Sequence, residues 1–329
     1  MLSFITSLLP TSYFIPGWLT LDINPLESLL QGLVAACGIS VLCSLLRVHL
    51  LNAEGTSNQK TSGHQIRTKP GFTGLLQFLC VTGVLCLVGS RVASLVVLEF
   101  CLRAVSGLVT AGPESGKFLQ QLLVQSQFSL GCALTCSLHF LHEGASQRWL
   151  CLLLAAALSW FLARQATNLL HHVTALYNLH SSQRYCGICI SLLTSGSCLL
   201  PMLCRTIIIT FSVAVLAAVS IINQHFLSAT EALRFWTPLT ICYTLLVVYM
   251  QEEQHRLPSS QAVLNTVVVR LGGLMVLMLT VGRWADVFHI LICFLGEASC
   301  LIPAKDLLDS LSPPKTKQSN DRFPQEINK

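Results

Sequence analysis

Long apolar runs without a charged side chain constrain the fold of this chain most. Residues 28–46 read SLLQGLVAACGISVLCSLL and end at Arg47. A helix of about 20 apolar residues crosses a bilayer core about 30 Å thick, so this run has the length of one membrane span. It is too long for a buried strand, and a helix satisfies its own backbone hydrogen bonds in hydrocarbon. We therefore expect membrane-spanning α-helices.

Similar runs recur along the chain. They are 72–90, 118–138, 149–163, 186–204, 206–222 and 235–250. Charged residues make up only 11% of the chain and hydrophobic residues 53%, whereas a soluble domain carries about 25% charged residues. The composition excludes a soluble enzyme, a disordered chain and a disulfide scaffold. It predicts an all-α fold, a polytopic integral membrane helix bundle.

Three regions are about twice as long as one span, and each has an arginine near its middle. They are 72–111 around Arg91, 186–222 around Arg205 and 264–302 around Arg283. We interpret each as two helices joined by a tight polar turn, for which Gly89 and Gly282 supply a suitable small residue. The alternative for each region is one long tilted helix with an interfacial extension.

The distribution of Lys and Arg predicts the threading. Residues 1–46 contain neither, whereas 47–71 contains four of them and the tail from 303 contains five. The positive-inside rule places these two basic segments in the cytoplasm and the N-terminus outside, which requires an odd number of spans. The runs give ten candidates, so we predict about nine transmembrane helices, within a range of seven to ten. The run expected not to cross is 92–111 or 284–302.

These patterns divide the chain into three parts. Residues 1–24 are an expected interfacial lead-in, 25–302 form the multi-pass domain with the basic loop 47–71, and 303–329 form a disordered cytoplasmic tail. The first helix has a clear start, because Asn24 can cap it, Pro25 suits its first position and Glu27 lies in its first turn.

Charged residues within the apolar regions are the candidate functional residues. A charge near the bilayer centre costs about 2.5–3.5 kcal/mol on insertion scales and therefore needs a partner or water. The candidates are Glu99, Arg103, Arg270, Asp286 and Glu297.

Their spacing indicates which of these charges can pair locally. Glu99 can pair with Arg103 on one helix face, and Asp286 can pair with Arg283. Arg91, Arg270 and Glu297 have no partner nearby in sequence, so they must snorkel, pair between helices or line a wet cavity. Alternatively, the arginines at 91, 205 and 283 lie at helix ends in the headgroup layer.

Small residues recur every four positions along the first span. Gly32, Ala36, Ser40 and Ser44 form one stripe that lets another helix approach closely. The stripe is either a face for association with another chain or a packing surface within this one. The expected partner of the apolar outer surface is the lipid bilayer. Nucleic acid is not expected, because the basic residues do not form a binding stripe.

Five histidines raise an enzymatic alternative. His139, His142, His171, His172 and His180 could serve a membrane-embedded, lipid-modifying enzyme that uses clustered histidines. Their pattern is sparse, and the sequence shows no catalytic constellation. We therefore assign no catalytic residue, cofactor or metal ligand. We expect a noncatalytic membrane protein, either transporter- or channel-like or a scaffold.

Four segments carry a resemblance to a known family. They are LLQGLVAACGISVLCSLLRV at 29–48, GSRVASLVVLEFCLRAVS at 89–106, LHSSQRYCG at 179–187 and EALRFWTPLTICYTLLVVYMQEEQ at 231–254. Together they resemble the transmembrane protein 82 family over residues 25–310. The resemblance implies an α-helical multi-pass membrane protein, and it brings no assigned activity, ligand or catalytic residue.

Overall fold

The described part of the chain is helical apart from one short turn segment. The computed structural model describes residues 25–56, 71–110, 115–179, 187–225, 259–281 and 284–311, with scattered positions between 230 and 249. Its helices are α1 Pro25–Thr56, α2 Gly71–Thr110, α3 Ser115–Leu141, α4 Arg148–Leu179, α5 Gly187–His225, α6 Ser259–Val281 and α7 Trp284–Leu311. The predicted all-α fold is confirmed for these residues.

Six helical segments in the described residues are long and apolar enough to cross a membrane. They are Pro25–Leu51, Thr73–Val109, Arg148–Ala175, Cys198–Gln224, Gln261–Leu279 and Trp284–Ala304. Large apolar side chains cover their outer faces, as at Leu154, Leu216 and Leu295. Hydrocarbon tolerates such a surface, whereas water does not. The last segment includes 284–302, which was one of the two runs expected not to cross, and it has the length and composition of a crossing.

Helix α2 is a hairpin of two limbs, 71–88 and 90–110. Gly89 between them has a non-helical backbone with φ 73° and ψ 157°, a conformation that glycine adopts without strain. On α7, Ser299 contacts Cys80 of the first limb. Two residues further back on α7, Glu297 pairs with Arg270, which also pairs with Glu99 of the second limb. A straight helix would separate Cys80 from Glu99 by about 28 Å. The predicted turn at Gly89 is therefore confirmed.

The other two doubled regions differ from each other. Helix α5 continues through Arg205, so the turn predicted there is wrong and the single-helix alternative holds. Thr206 and Thr210 donate hydrogen bonds to the carbonyls one turn earlier, and the exposed Arg205 needs no break to reach its surroundings. In the third region, α6 ends at Val281 and α7 begins at Trp284, as a turn around Arg283 requires. Residues 282–283 themselves lie outside the described part.

Two predicted boundaries need correction. The basic loop was expected from Arg47, but α1 continues to Thr56 because Val48, Leu50 and Leu51 are apolar and buried. The tail was expected from 303, but α7 continues through Pro303 to Leu311, and Ala304 packs against Leu46 of α1. The lead-in 1–24 and residues 312–329 lie outside the described residues.

Helix α3 lies at the centre of the described bundle. It packs against α1, α2, α5 and α7, and its residues Val124, Phe128 and Cys132 are fully buried. Helix α6 packs mainly against α7, and α4 packs mainly against α1. The bundle thus has a crowded centre around α3 and an edge formed by α4.

Candidate functional site

Four charged side chains meet where the second limb of α2 faces α3, α6 and α7. We call Glu99, Arg103, Arg270 and Glu297 the central charge network. Glu99 is 0% exposed, Arg270 and Glu297 are each 1% exposed, and Arg103 is 8% exposed. All four were candidates from the sequence, and the structure brings them together.

Arg270 links the two carboxylates of the central charge network. Its Nη1 lies 3.3 Å from Oε2 of Glu99, and its Nη2 is ion-paired with Oε1 of Glu297. Arg103 Nε lies 3.5 Å from Oε1 of Glu99, so the predicted local pair is confirmed. Arg103 also donates a hydrogen bond to the side-chain oxygen of Gln125 on α3. The network therefore joins four helices through one continuous set of contacts.

The described residues leave little space beside the central charge network. Thr266, Val267 and Leu301 close the gap between its side chains, which has no volume that a water molecule can occupy among the described residues. The ring of Phe100 lies 5.3 Å from the guanidinium carbon of Arg103. Among the described residues, its two guanidinium groups and two carboxylates balance in charge. Each ionised group therefore depends on its neighbours in place of solvent.

The fifth candidate, Asp286, lies apart from the central charge network. Its carboxylate is ion-paired with Arg91 at 3.5 Å, next to the turn of the α2 hairpin. The sequence suggested Arg283 as its partner, and Arg283 lies outside the described residues. A further pair, Glu27 with Arg148 at 3.0 Å, joins the starts of α1 and α4. Sequence reasoning missed both pairs because their members are far apart in the chain.

The histidines considered for an enzyme do not form one cluster. His139 lies near the end of α3 and His142 directly after it, whereas His171 and His172 lie on α4, about 35 Å beyond its start at Arg148. His142 Nδ1 is 2.8 Å from the carbonyl of Leu138, and His180 lies outside the described residues. In the part of the chain that is described, no three His, Cys, Asp or Glu side chains are placed to hold a metal ion. This arrangement does not favour the lipid-modifying enzyme.

The profile of a family described as transmembrane protein 82 matches residues 26–322, nearly the whole chain. The chain belongs to the transmembrane protein 82 family. This confirms the resemblance found in the sequence and, with the apolar helices, identifies a multi-pass membrane protein. No solved structure matches the chain.

The small-residue stripe of this family member faces its own helices. A Cβ added to Gly32 would lie 2.6 Å from Sγ of Cys86, so α1 and the first limb of α2 are in close contact there. Ala36 is buried, while Ser40 and Ser44 line a cavity between α1 and α4. Any association with a second chain through this stripe stays a prediction.

Proposed function

We propose that this protein is a noncatalytic membrane protein of the transporter or channel class, with the central charge network as its ion-coupling site. One observation carries the proposal. Two carboxylates and two guanidinium groups lie at the meeting point of four helices, in a place where the described residues leave no room for water. In this interpretation the structure is the occluded state of the pathway.

A purely structural role explains the central charge network poorly. Well-packed apolar residues of similar volume often replace a buried ion pair without loss of stability. Ionisable residues within a membrane are usually retained because they take part in ion pathways or proton relays. The network also joins helices from distant parts of the chain, namely the second limb of α2, α6 and α7. Such helices can change their relative positions when the charges between them change.

Protons are the ions that this chemistry favours. A carboxylate can be neutralised by one proton, whereas arginine keeps its charge at all accessible pH values. Protonation of Glu99 or Glu297 would leave the network with one excess positive charge. That imbalance favours the entry of an anion or the separation of the helices. We therefore infer proton-coupled movement of an anionic solute.

A flux assay tests this proposal. Purified protein is reconstituted in liposomes, and proton uptake is followed with a pH-sensitive dye across a panel of small anions. Glu99→Gln should abolish the coupled proton flux while the protein still inserts and elutes as one species. Glu27→Gln is the matched control, because it changes the same residue type in an ion pair outside the network. Its flux should equal that of the unaltered chain.

Equal flux for Glu99→Gln and the unaltered chain would contradict the proposal. Absence of flux with every anion would favour the scaffold alternative instead. A scaffold should retain a partner in a detergent pull-down, and it should lose that partner when Ala36→Leu fills the small-residue stripe.

We also propose nine membrane crossings with the N-terminus outside. Arg47 near the end of α1 donates a hydrogen bond to the carbonyl of Pro303 near the end of α7, at 3.2 Å. This contact brings the later parts of both helices to the same side of the bundle, which supports an odd number of crossings. The six candidate spans count α2 once. Counting its two limbs separately, and adding the buried α3 and the apolar run 235–250, gives nine crossings.

Tag accessibility tests the threading. An epitope inserted at residue 60 and another in the tail at residue 320 should both be protected in sealed cells and accessible after permeabilisation. Detection of only one of them in sealed cells would refute the odd number of crossings. Detection of both would refute the orientation.

A further inference from the structure

A cavity of about 570 Å³ lies between α1, the first limb of α2 and α4. We call it the side cavity. Its volume is in the range of about 300–1,000 Å³ that is usual for small-molecule sites. The residues of the central charge network are not among the described residues that line it. The side cavity is thus a separate feature from the central charge network.

One part of the side cavity is apolar. Ile39, Val81 and Phe78 line it together with Trp160 of α4. The rings of Phe78 and Trp160 meet edge to face, with centroids 6.1 Å apart. Trp160 is 52% exposed on the outer face of the bundle, so the apolar part borders the lipid-facing surface. This wall suits an acyl chain that enters from the membrane.

The other part of the side cavity is polar and carries positive charge. Arg47, Arg164, Asn168 and His171 line it. None of the described lining residues is Asp or Glu. Arg47 lies about 12 Å along α1 from Ile39, so the polar and apolar parts follow one another along the helix. Its guanidinium group is held in place by the hydrogen bond to the carbonyl of Pro303.

Gln127 of α3 adds an unpaired polar side chain to the wall of this space. The side chain is 2% exposed and lines the side cavity. Among the described residues, neither its amide nitrogen nor its amide oxygen has a hydrogen-bond partner. Buried amides nearly always have one, and an unmade bond is unfavourable. Both amide atoms are buried, so the side chain has to turn toward the cavity to meet a polar group of a bound molecule.

We propose that the side cavity binds an amphiphile with an anionic head group and an acyl chain. The head group lies near Arg47 and Arg164 and accepts a hydrogen bond from Gln127. The acyl chain lies along Phe78 and Trp160. An acidic phospholipid and a free fatty acid share this chemistry, because each combines a negative head with an aliphatic chain.

Native mass spectrometry of the purified full-length protein tests the proposal. Dioleoyl phosphatidate and oleate are titrated as anionic probes, with dioleoyl phosphatidylcholine as the reference without net charge. At least one anionic probe should bind about tenfold more tightly than the reference, as expected for one charge-assisted contact. Binding of phosphatidate alone identifies a phospholipid site, and binding of oleate alone identifies a fatty-acid site.

Two variants locate the binding. Arg164→Gln should weaken the anionic probe about tenfold, whereas the matched control Arg205→Gln on the exposed face of α5 should leave it unchanged. Gln127→Leu should also weaken binding and should not lower the melting temperature of the lipid-free protein, because it removes a buried amide that no described residue pairs with. Equal affinity for the anionic probes and phosphatidylcholine, or equal effects of the two arginine variants, would overturn the proposal.

Discussion

The central charge network and the Glu27–Arg148 pair are both ion pairs between helices, yet their surroundings differ. The side chain of Arg270 is 1% exposed and that of Arg148 is 25% exposed. Each charge at the centre relies entirely on its partners, whereas Arg148 still reaches solvent or headgroups. Glu27 is also buried, with its side chain 6% exposed, so the edge differs from the centre in the exposure of its arginine. Attraction and desolvation are therefore both smaller at the edge than at the centre. An ion pair of the same residue types is therefore expected to respond differently to loss of one charge in the two regions.

The strongest test of this difference is to remove the shared carboxylate of the central charge network. Glu99→Ala leaves Arg103 and Arg270 without their common counter-ion, and an excess positive charge stays buried. We expect a loss of about 3–5 kcal/mol in the free energy of unfolding. Thermal unfolding in detergent, followed by circular dichroism, measures the effect. Glu27→Ala is the control and should lose far less; equal losses would show that burial does not separate the two regions.

Packing at the centre should be the next most sensitive property. A Cβ added to Gly296, next to Glu297 on α7, would collide with the buried ring of Phe128 on α3. We expect Gly296→Ala to destabilise the fold by about 1–3 kcal/mol through overpacking. The melting temperature of the same detergent preparation reports this effect.

Gly83 provides the matched control for the packing test. A Cβ there would meet no atom of the described residues within 4 Å, so Gly83→Ala should be neutral or slightly stabilising, because alanine favours the helix. Combining Gly296→Ala with Phe128→Leu should recover part of the lost stability. If the two glycine variants have the same melting temperature, the centre is more loosely packed than the structure indicates.

The sequence predicts this molecule well wherever the signal is local. Uncharged runs of span length predicted the helices, Gly89 predicted the turn within α2, and the spacing of Glu99 and Arg103 predicted their pair. It failed where local and tertiary information conflict. Arg205 looked like a turn residue because it lies midway along a doubled region, but α5 is continuous there. Pairing of Arg270 with Glu99 and Glu297 could not be predicted, because it depends on how three helices pack.

Removing a balanced pair from the central charge network should affect stability less than removing one charge. Arg270→Met combined with Glu297→Met leaves Glu99 and Arg103 paired with each other. We expect the free energy of unfolding to change by about 1 kcal/mol or less, because apolar residues of similar volume replace a buried ion pair. Proton flux in liposomes should nevertheless be lost. A large loss of stability in this variant would assign the network a structural role.

The smallest effect is expected at the edge of the bundle. Arg148→Gln removes the ion pair with Glu27 at the starts of α4 and α1. Arg148 is 25% exposed, so salt screens the pair in part. The melting temperature should therefore fall less than in Glu99→Ala, and the difference should shrink in high salt. Glu99→Ala should lose the same stability at both salt concentrations, because its surroundings exclude ions and water. A salt-independent loss for Arg148→Gln would mean that the edge pair is buried as deeply as the centre.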